Sequence, residues 1–533
     1  MAKAWRSALM IPAVIAGGAI VGGMYGPGAT AAAASEKDIE QSLSTFTSVY
    51  ALVEQNFAEK VNPDKAVFRG AIPGALRTLD PHSSFFDPRD FQLLREEQRG
   101  AYYGVGMTVS ERGGKTIVIA PFPGSPAYKA GIRPGDSILE VNDKRTDGLN
   151  TTEVADLLKG PRGTQVQVVI GREGHDKPII FNIIRDEIPR KSVQDAFWLK
   201  PGIAYLKIDS FNENTSREVD ENLRKLGEAN VKGLVLDLRD NPGGLLNEGV
   251  NTADRFLAKN QTIVSHRGRA SAERPYVARN GSQGRDYSIV VLVNRYSASA
   301  AEIVSGAIQD HDRGIILGES TFGKGLVQTV YPLNDSTGLA LTTAKYYTPS
   351  GRLIQRDYKE TSFYDYYFRR GEGHKNNADV KLTDSGRTVY GGGGIEPDEK
   401  FVPEKLNRFQ TDLLRKFSFF NFVAKHFGAQ ELKLAKGWTA DVEIMNEFHK
   451  YLLKEGLTFT EAEFAENQEW IKRRLQGEVY TTAFSMEEAR KYMVETDPLV
   501  HKAIELMPKA KAMMESARKM IVQRVANSRA EKD

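Results

Sequence analysis

A chain of 533 residues is too long for a single core and long enough for three or four domains of ordinary size. With 41% hydrophobic and 26% charged residues it has a globular make-up, which excludes a disordered chain and a polytopic membrane protein; a net charge of only +3 gives no footprint for nucleic acid. Cysteine is absent, so thiol nucleophiles, disulfides and cysteine-ligated zinc are excluded, and covalent chemistry must use Ser, Thr, Lys or a carboxylate.

In chain order, Lys3 and Arg6 precede an apolar run of 18 residues, Ala8 to Tyr25, and then an Ala29-Thr30-Ala31 segment. Residues 1–34 read as an export signal with a cleavage site. Pro12 and four glycines weaken the run as a permanent helix, though an uncleaved membrane tether through residues 8–25 stays open. On either reading the rest of the chain is exported, periplasmic or anchored facing the extracytoplasmic side. Residues 35–99 carry helical spacing, in SLSTFTSVYALVEQNF and in DPRDFQLLREEQ. From 100 to 187 the texture is of short strands, MTVS, TIVIA, SILEVN, QVQVVIG and IIFNIIRDEI, with one helix, TTEVADLLKG. Over 188–402, strands such as GLVLDLR, SIVVLVN and GIILG alternate with helical patterns, which predicts an α/β core with helices on a largely parallel sheet. Residues 403–533 read as helical; their aromatic cluster FSFFNF and apolar stripes suit a core or a partner surface, for homo-oligomerisation or an adaptor.

Two short stretches carry the chemistry. GESTFGKG, Gly318 to Gly325, is one residue short of a phosphate loop, with Gly325 where Ser or Thr should stand. A phosphate loop must open a helix, whereas LVQTVYPL alternates like a strand, so the phosphate reading is weak. Upstream, Ser299 sits at a strand-to-helix corner, where free amides at a helix start can hold an oxyanion. The alternative is structural, because Ser299 and Glu302 also form a capping box. A serine nucleophile needs a base, either His or a lysine kept neutral by its surroundings. His311, in the charged run AspHisAsp, reads as a solvated loop residue, while Lys324 between two glycines is placed for burial. RDNPGGLL, Arg239 to Leu246, can turn backbone amides towards a ligand at the carboxyl end of a strand, or be a plain turn.

Taken together, LDPHSSFF, YYGVGM followed by GSPAYKAGIRPGDSILEVN, LDLRDNPGGLL, SASAAEI, FGKGLVQ and YGGGGIEPD closely resemble the carboxyl-terminal processing, or tail-specific, serine proteases, in family order over roughly residues 40 to 400. The resemblance implies Ser299 as nucleophile, Lys324 as general base and Gln328 as its support. It implies Ala300 and either Gly243 or Gly244 as oxyanion donors, and calls for no metal and no cofactor. It also implies an embedded PDZ domain, in which Tyr103, Gly104, Val105, Gly106 and Met107 would meet the carboxylate end of a peptide added to the sheet edge. Val105, Met107 and Val109 are expected to divide between that pocket and the domain core. The expected partners are proteins or peptides with unstructured carboxyl termini. A non-catalytic PDZ scaffold that binds such tails is the alternative, and intact Ser299, Lys324 and Gln328 speak against it.

Overall fold

The computed structural model describes residues 36–333, 336–358, 362–367, 376–427, 434–435 and 437–530, so the export segment lies outside the described residues. The chain divides into two compact units, Met1–Leu79 with Arg269–Ser271, and Asp80–Gly268 with Ala272–Asp533. In the first, helix α1 (Glu36–Asn56) is followed by three short helical pieces, Pro63–Ala66, Val67–Ala71 and Ile72–Arg77. Asn62 opens them by accepting the Lys65 amide at 3.1 Å, the usual service of an N-cap side chain.

The second unit opens with strand β1 (Ser84–Phe86) and helix α2 (Pro88–Arg99). Asp87 caps the start of α2 and Gly100, at φ 70°, ends it. The chain then passes into a two-stranded ribbon of β2 (Ala101–Gly104) and β9 (Asp186–Pro189), with Ala101 facing Pro189 and Gly104 facing Asp186. Between these strands lies the PDZ domain. Its antiparallel sheet runs β3 (Met107–Arg112), β4 (Lys115–Pro121), β5 (Ser137–Val141), β7 (Gln165–Gly171), β8 (Ile179–Ile184), with β6 (Lys144–Arg145) paired to β5. Alternation along β4 turns Thr116, Val118 and Ala120 inward and leaves Ile117 and Ile119 half-buried. Helix α3 (Pro126–Ala130) and helix α4 (Thr151–Leu158) close the core; the capping box of Asn150 and Glu153 starts α4. Arg185 ends α4 by donating to the carbonyls of Leu157 and Leu158 at 2.9 and 3.0 Å, so the orphan carbonyls of its last turn stay paired.

The larger core is a six-stranded sheet in the order β10 (Val193–Lys200), β11 (Ile203–Ile208), β12 (Gly233–Asp237), β15 (Ser288–Val293), β16 (Ile315–Gly318), β21 (Glu399–Lys400). Only β10 and β11 are antiparallel; every other neighbour pair is parallel. β12 and β15 are buried along their whole length, which is why their sequences are apolar but for Asp237 at the end of one and Ser288 at the start of the other. Helices α5 (Thr215–Lys225), α6 (Leu246–Asp254) and α7 (Ala300–Asp310) bring Val219, Leu223, Ala253, Val304 and Ile308 to one apolar cluster with Leu234, Leu236 and Ile289 of the strands. A second, antiparallel sheet takes β1, β18 (Gly338–Tyr347), β13 (Thr262–Gly268) and β14 (Ser271–Val277), with β17 (Leu326–Pro332) on β18. Strands β17 and β18, the next after Gly318, thus leave the parallel sheet. A short helix α8 (Phe363–Tyr367) and a hairpin of β19 (Asn376–Leu382) and β20 (Thr388–Gly391) follow.

Beyond Pro403 come α9 (Arg408–Arg415), α10 (Ser418–Phe427), α11 (Val442–Lys454), α12 (Glu461–Glu466), α13 (Gln468–Ala483), α14 (Met486–Glu495) and α15 (Pro498–Ala530). The aromatic cluster is core: Phe419 stacks on Phe448 at 5.2 Å, beside buried Phe422, Leu452, Ile471 and Leu475. Helix α15 does something the sequence left open. Its Leu499, Val500, Ala503, Leu506 and Met507 join Tyr205, Val235, Val290, Leu292 and Leu317, so it covers the face of the parallel sheet that α5, α6 and α7 leave.

Candidate active site

Strands β12, β15 and β16 are parallel neighbours, so the loops that follow them leave the same edge of the sheet, where sites in such sheets form. After β12 comes the Asn-Pro-Gly-Gly turn, after β15 the corner bearing Ser299, and after β16 the stretch GESTFGKG. That last stretch runs into β17 and no helix, which removes the phosphate-loop reading.

Ser299 precedes the first residue of α7 with φ 53° and ψ −114°, a conformation few side-chain-bearing residues adopt. Strain of this kind gathers at functional positions, where the surroundings over-determine it. The turn after β12 presses against it from one side. A Cβ on Gly243, at φ +98°, would stand 2.6 Å from Ser299 Cβ and 3.0 Å from the Ala300 nitrogen, an approach open only to glycine. Gly244, at φ +139°, backs onto Phe211, whose carbonyl oxygen would lie 2.1 Å from an added Cβ. Asn241 pins the turn: it donates to the Ile208 carbonyl at 2.8 Å, accepts the Gly243 amide on Oδ1 at 2.8 Å, and accepts the Ala298 amide on its own carbonyl at 2.9 Å. Ala300, at the first position of α7, carries one of the helix's orphan amides.

The buried carboxylate of Glu302 joins the serine corner to the lysine loop. Oε2 accepts the Ser299 amide at 2.8 Å and the Lys324 amide at 2.9 Å, while Oε1 accepts the Gly323 amide at 2.7 Å and the Thr321 hydroxyl at 2.5 Å. One oxygen therefore fixes how far apart the backbones of Ser299 and Lys324 can be. Burial pushes the Glu302 carboxyl up, and these four donors pull it back. Tyr346, buried on β18, donates its hydroxyl to the Lys324 carbonyl and lies within hydrogen-bonding reach of the Ser299 side chain. The Lys324 amine is held below its ordinary value of 10.5 by burial, against the opposing pull of Glu302 and Asp80. Gln328 lies on β17 and donates to Thr342 Oγ1 at 3.2 Å; this bond to the neighbouring strand is the contact the structure gives its amide.

The five PDZ residues named from the sequence are together at the start of that domain. Val105 and Met107 are buried in its core and Val109 packs against it, so the expected mixture resolves inward for the first two. Gly106, at φ +79°, has Ser125 at its back, and the Ser125 hydroxyl donates to its carbonyl at 2.7 Å. Tyr103 accepts from Arg99 at 3.2 Å, and Gly104 pairs with Asp186 in the ribbon.

Sequence reasoning missed the roles of Asn241 and Tyr346, because the bonds of Asn241 to Ile208 and Ala298 and of Tyr346 to Lys324 join residues distant in the chain. Glu302 was visible only as a cap. His311 is corrected: it is no solvated loop residue but sits largely buried at the end of α7, bonded to Asp384 at 2.7 Å and to the Thr262 carbonyl at 2.6 Å. Among the described residues no group of three or more His, Asp or Glu is placed to hold a metal ion.

Comparison with known proteins finds peptidase family S41 over residues 202–361 and a PDZ domain over residues 117–172. A carboxy-terminal-processing protease of Bartonella bacilliformis is 38% identical over 326 residues, covering 60% of this chain and 74% of the relative. Carboxy-terminal processing protease CtpB of Bacillus subtilis is 32% identical over 331 residues, covering 62% and 68%. Among solved structures, a photosystem II D1 C-terminal processing protease aligns at 30% identity over 68% of this chain and 88% of that one, with a TM-score of 0.36. By sequence the chain belongs to the carboxy-terminal-processing proteases of peptidase family S41.

Proposed function

We propose that this protease cleaves proteins at or near their carboxyl termini with Ser299 as nucleophile and Lys324 as general base. The observation that carries the reading is the single Glu302 oxygen that accepts both the Ser299 and the Lys324 amides. Neutral Lys324 takes the Ser299 hydroxyl proton as Oγ attacks the scissile carbonyl carbon. The oxyanion that forms is held by the Ala300 amide and an amide of the Gly243–Gly244 turn. The amine leaves with the proton from Lys324, and the neutral lysine then deprotonates the water that releases the acyl group from Ser299. Gln328 serves this reading as a support of the lysine loop through Thr342.

The PDZ domain supplies the substrate's carboxyl tail. β3 is an edge of its sheet, so an extended peptide can add to it as a further strand while its carboxylate meets backbone amides of the Tyr103–Met107 loop. The residues ahead of α1, with Lys3 and Arg6 before an apolar run, place the enzyme outside the cytoplasm on this reading; recovery of the chain in the cytoplasmic fraction of its cell would overturn that part.

Cleavage of an unfolded protein with an apolar carboxyl terminus tests the chemistry. Ser299→Ala and Lys324→Ala should each lower kcat by about 10³-fold or more. Because the amine must be neutral, the rate should rise with pH and level off below the 10.5 of an ordinary lysine. Cleavage at the wild-type rate by either variant would refute the dyad, and tail binding with no fragments would favour the scaffold.

A further inference from the structure

We propose that His82 is a positioning residue for the lysine base, a neutral imidazole that fastens Tyr366 and Tyr367 of α8 as a strap over the loop carrying Lys324; the inference rests on the Ser299–Lys324 reading. His82 lies in the turn before β1 and is bonded on both ring nitrogens, Nδ1 to the Tyr367 hydroxyl at 3.1 Å and Nε2 to the Tyr366 hydroxyl at 3.0 Å. The protons on this path can be assigned. Tyr367 donates its hydroxyl to the Pro81 carbonyl at 3.0 Å, so towards His82 it accepts and Nδ1 carries the ring proton. Nε2 is then an acceptor, and Tyr366 donates to it. The Tyr366 oxygen accepts in turn from Gln355 Nε2 at 3.1 Å, and Gln355 Oε1 accepts the amide of Gly325, the residue after Lys324, at 2.8 Å. A neutral imidazole satisfies every group in this path. A protonated one would set N–H against the O–H of Tyr366 and break it.

The same strap is held on the loop by aromatic contact. Phe322 meets Tyr366 edge-on at 5.7 Å, and the Arg356 guanidinium stacks over both rings at 4.2 and 4.1 Å while its own amide donates to the Gly323 carbonyl at 3.0 Å. Tyr366 is buried by this packing. Strap and loop are thus tied together on both sides of Lys324, at Phe322 and Gly323 before it and at Gly325 after it, and burial of the amine in that loop is what holds it below its ordinary value. The groups facing this pair are Asp80 from the turn before β1, Glu302 from α7, Tyr346 and Arg356 from β18 and the segment after it, and Tyr366. Burial first, then the Lys324 charge while that amine is protonated and the Arg356 guanidinium, push His82 from 6.5 to about 4; once Lys324 is neutral, burial and Arg356 still favour the neutral form the bonds require.

The test uses Tyr366→Phe, which keeps the ring and removes the link between His82 and Gln355, with His82→Gln as a second variant in case the first is poorly folded. In kcat against pH, the rising limb should move up by about one unit, so that a loss of about tenfold at pH 7 is recovered at high pH, while KM stays within about twofold. Independently of catalysis, acetylation of Lys324 by acetic anhydride, followed by mass spectrometry in a Ser299→Ala background, gives the midpoint of its titration. That midpoint should rise by the same amount when Tyr366→Phe is added. Midpoints unchanged in both folded variants would overturn the strap. A shifted midpoint together with cleavage that persists in Lys324→Ala would leave the strap standing and sink the dyad.

Discussion

At Gly243 one added methyl group has no room. Alanine there would have to hold φ +98° and place its Cβ 2.6 Å from that of Ser299, so the turn or the nucleophile must give way. We expect Gly243→Ala to lower kcat by about 10²–10³-fold, the scale of losing one oxyanion contact, with KM nearly unchanged. Fold would be monitored by circular dichroism, and a wild-type kcat would show that this turn takes no part. Ser299, Lys324 and the Gly243–Gly244 turn could be named as candidates because their motifs are local, a serine before a helix, a lysine between glycines, a Gly-Gly pair after a strand; their roles came only from the family resemblance, which left the choice between the two glycines open. Asn241 and Tyr346 could not, since nothing in DNPGG or in KYYT says which distant carbonyl or amide each will meet. Glu302 is the instructive case. A capping box predicts its bond to Ser299, but its bonds to Thr321, Gly323 and Lys324 come from a loop that only folding brings near.

At the scale of elements, alternation of strands and helices correctly announced the parallel sheet and the helices α5, α6 and α7. It could not assign β17 and β18 to a second sheet, because pairing partners are set by long-range register and not by propensity. The role of α15 was hidden for a related reason. An apolar stripe says that a helix is covered, never by what. With the sheet as its partner, α15 becomes part of the protease core, and Met507, lodged where Gly233 leaves room, is a fair probe of that contact. Met507→Ala should destabilise the protein by about 2–4 kcal/mol in urea denaturation, the usual cost of truncating a buried methionine. A change below about 0.5 kcal/mol would mean that α15 covers the sheet only loosely.

For the whole molecule, a charged residue of the PDZ domain packs on the C-terminal helices. Arg112 at the end of β3 lies over Phe417 and Phe420 at 4.5 and 3.6 Å, and its guanidinium and the Glu478 carboxyl are both shifted towards their neutral forms by burial. Losing those stacked contacts should cost about 1–2 kcal/mol, so Arg112→Ala is expected to speed hydrogen exchange in β3 and α10 while leaving the parallel sheet as it was. Equal exchange in both proteins would show the contact to be idle.

The ribbon of β2 and β9 has its own consequence. The chain leaves the protease and returns to it at residues that face each other, Ala101 and Pro189. The PDZ domain is therefore a cassette: its two wires are soldered to adjacent terminals, and the circuit of the protease core is already closed behind it. A different domain could be plugged into the same two strands without lengthening any path through the protease core, so the insert can change while the sheet behind it stays as it is.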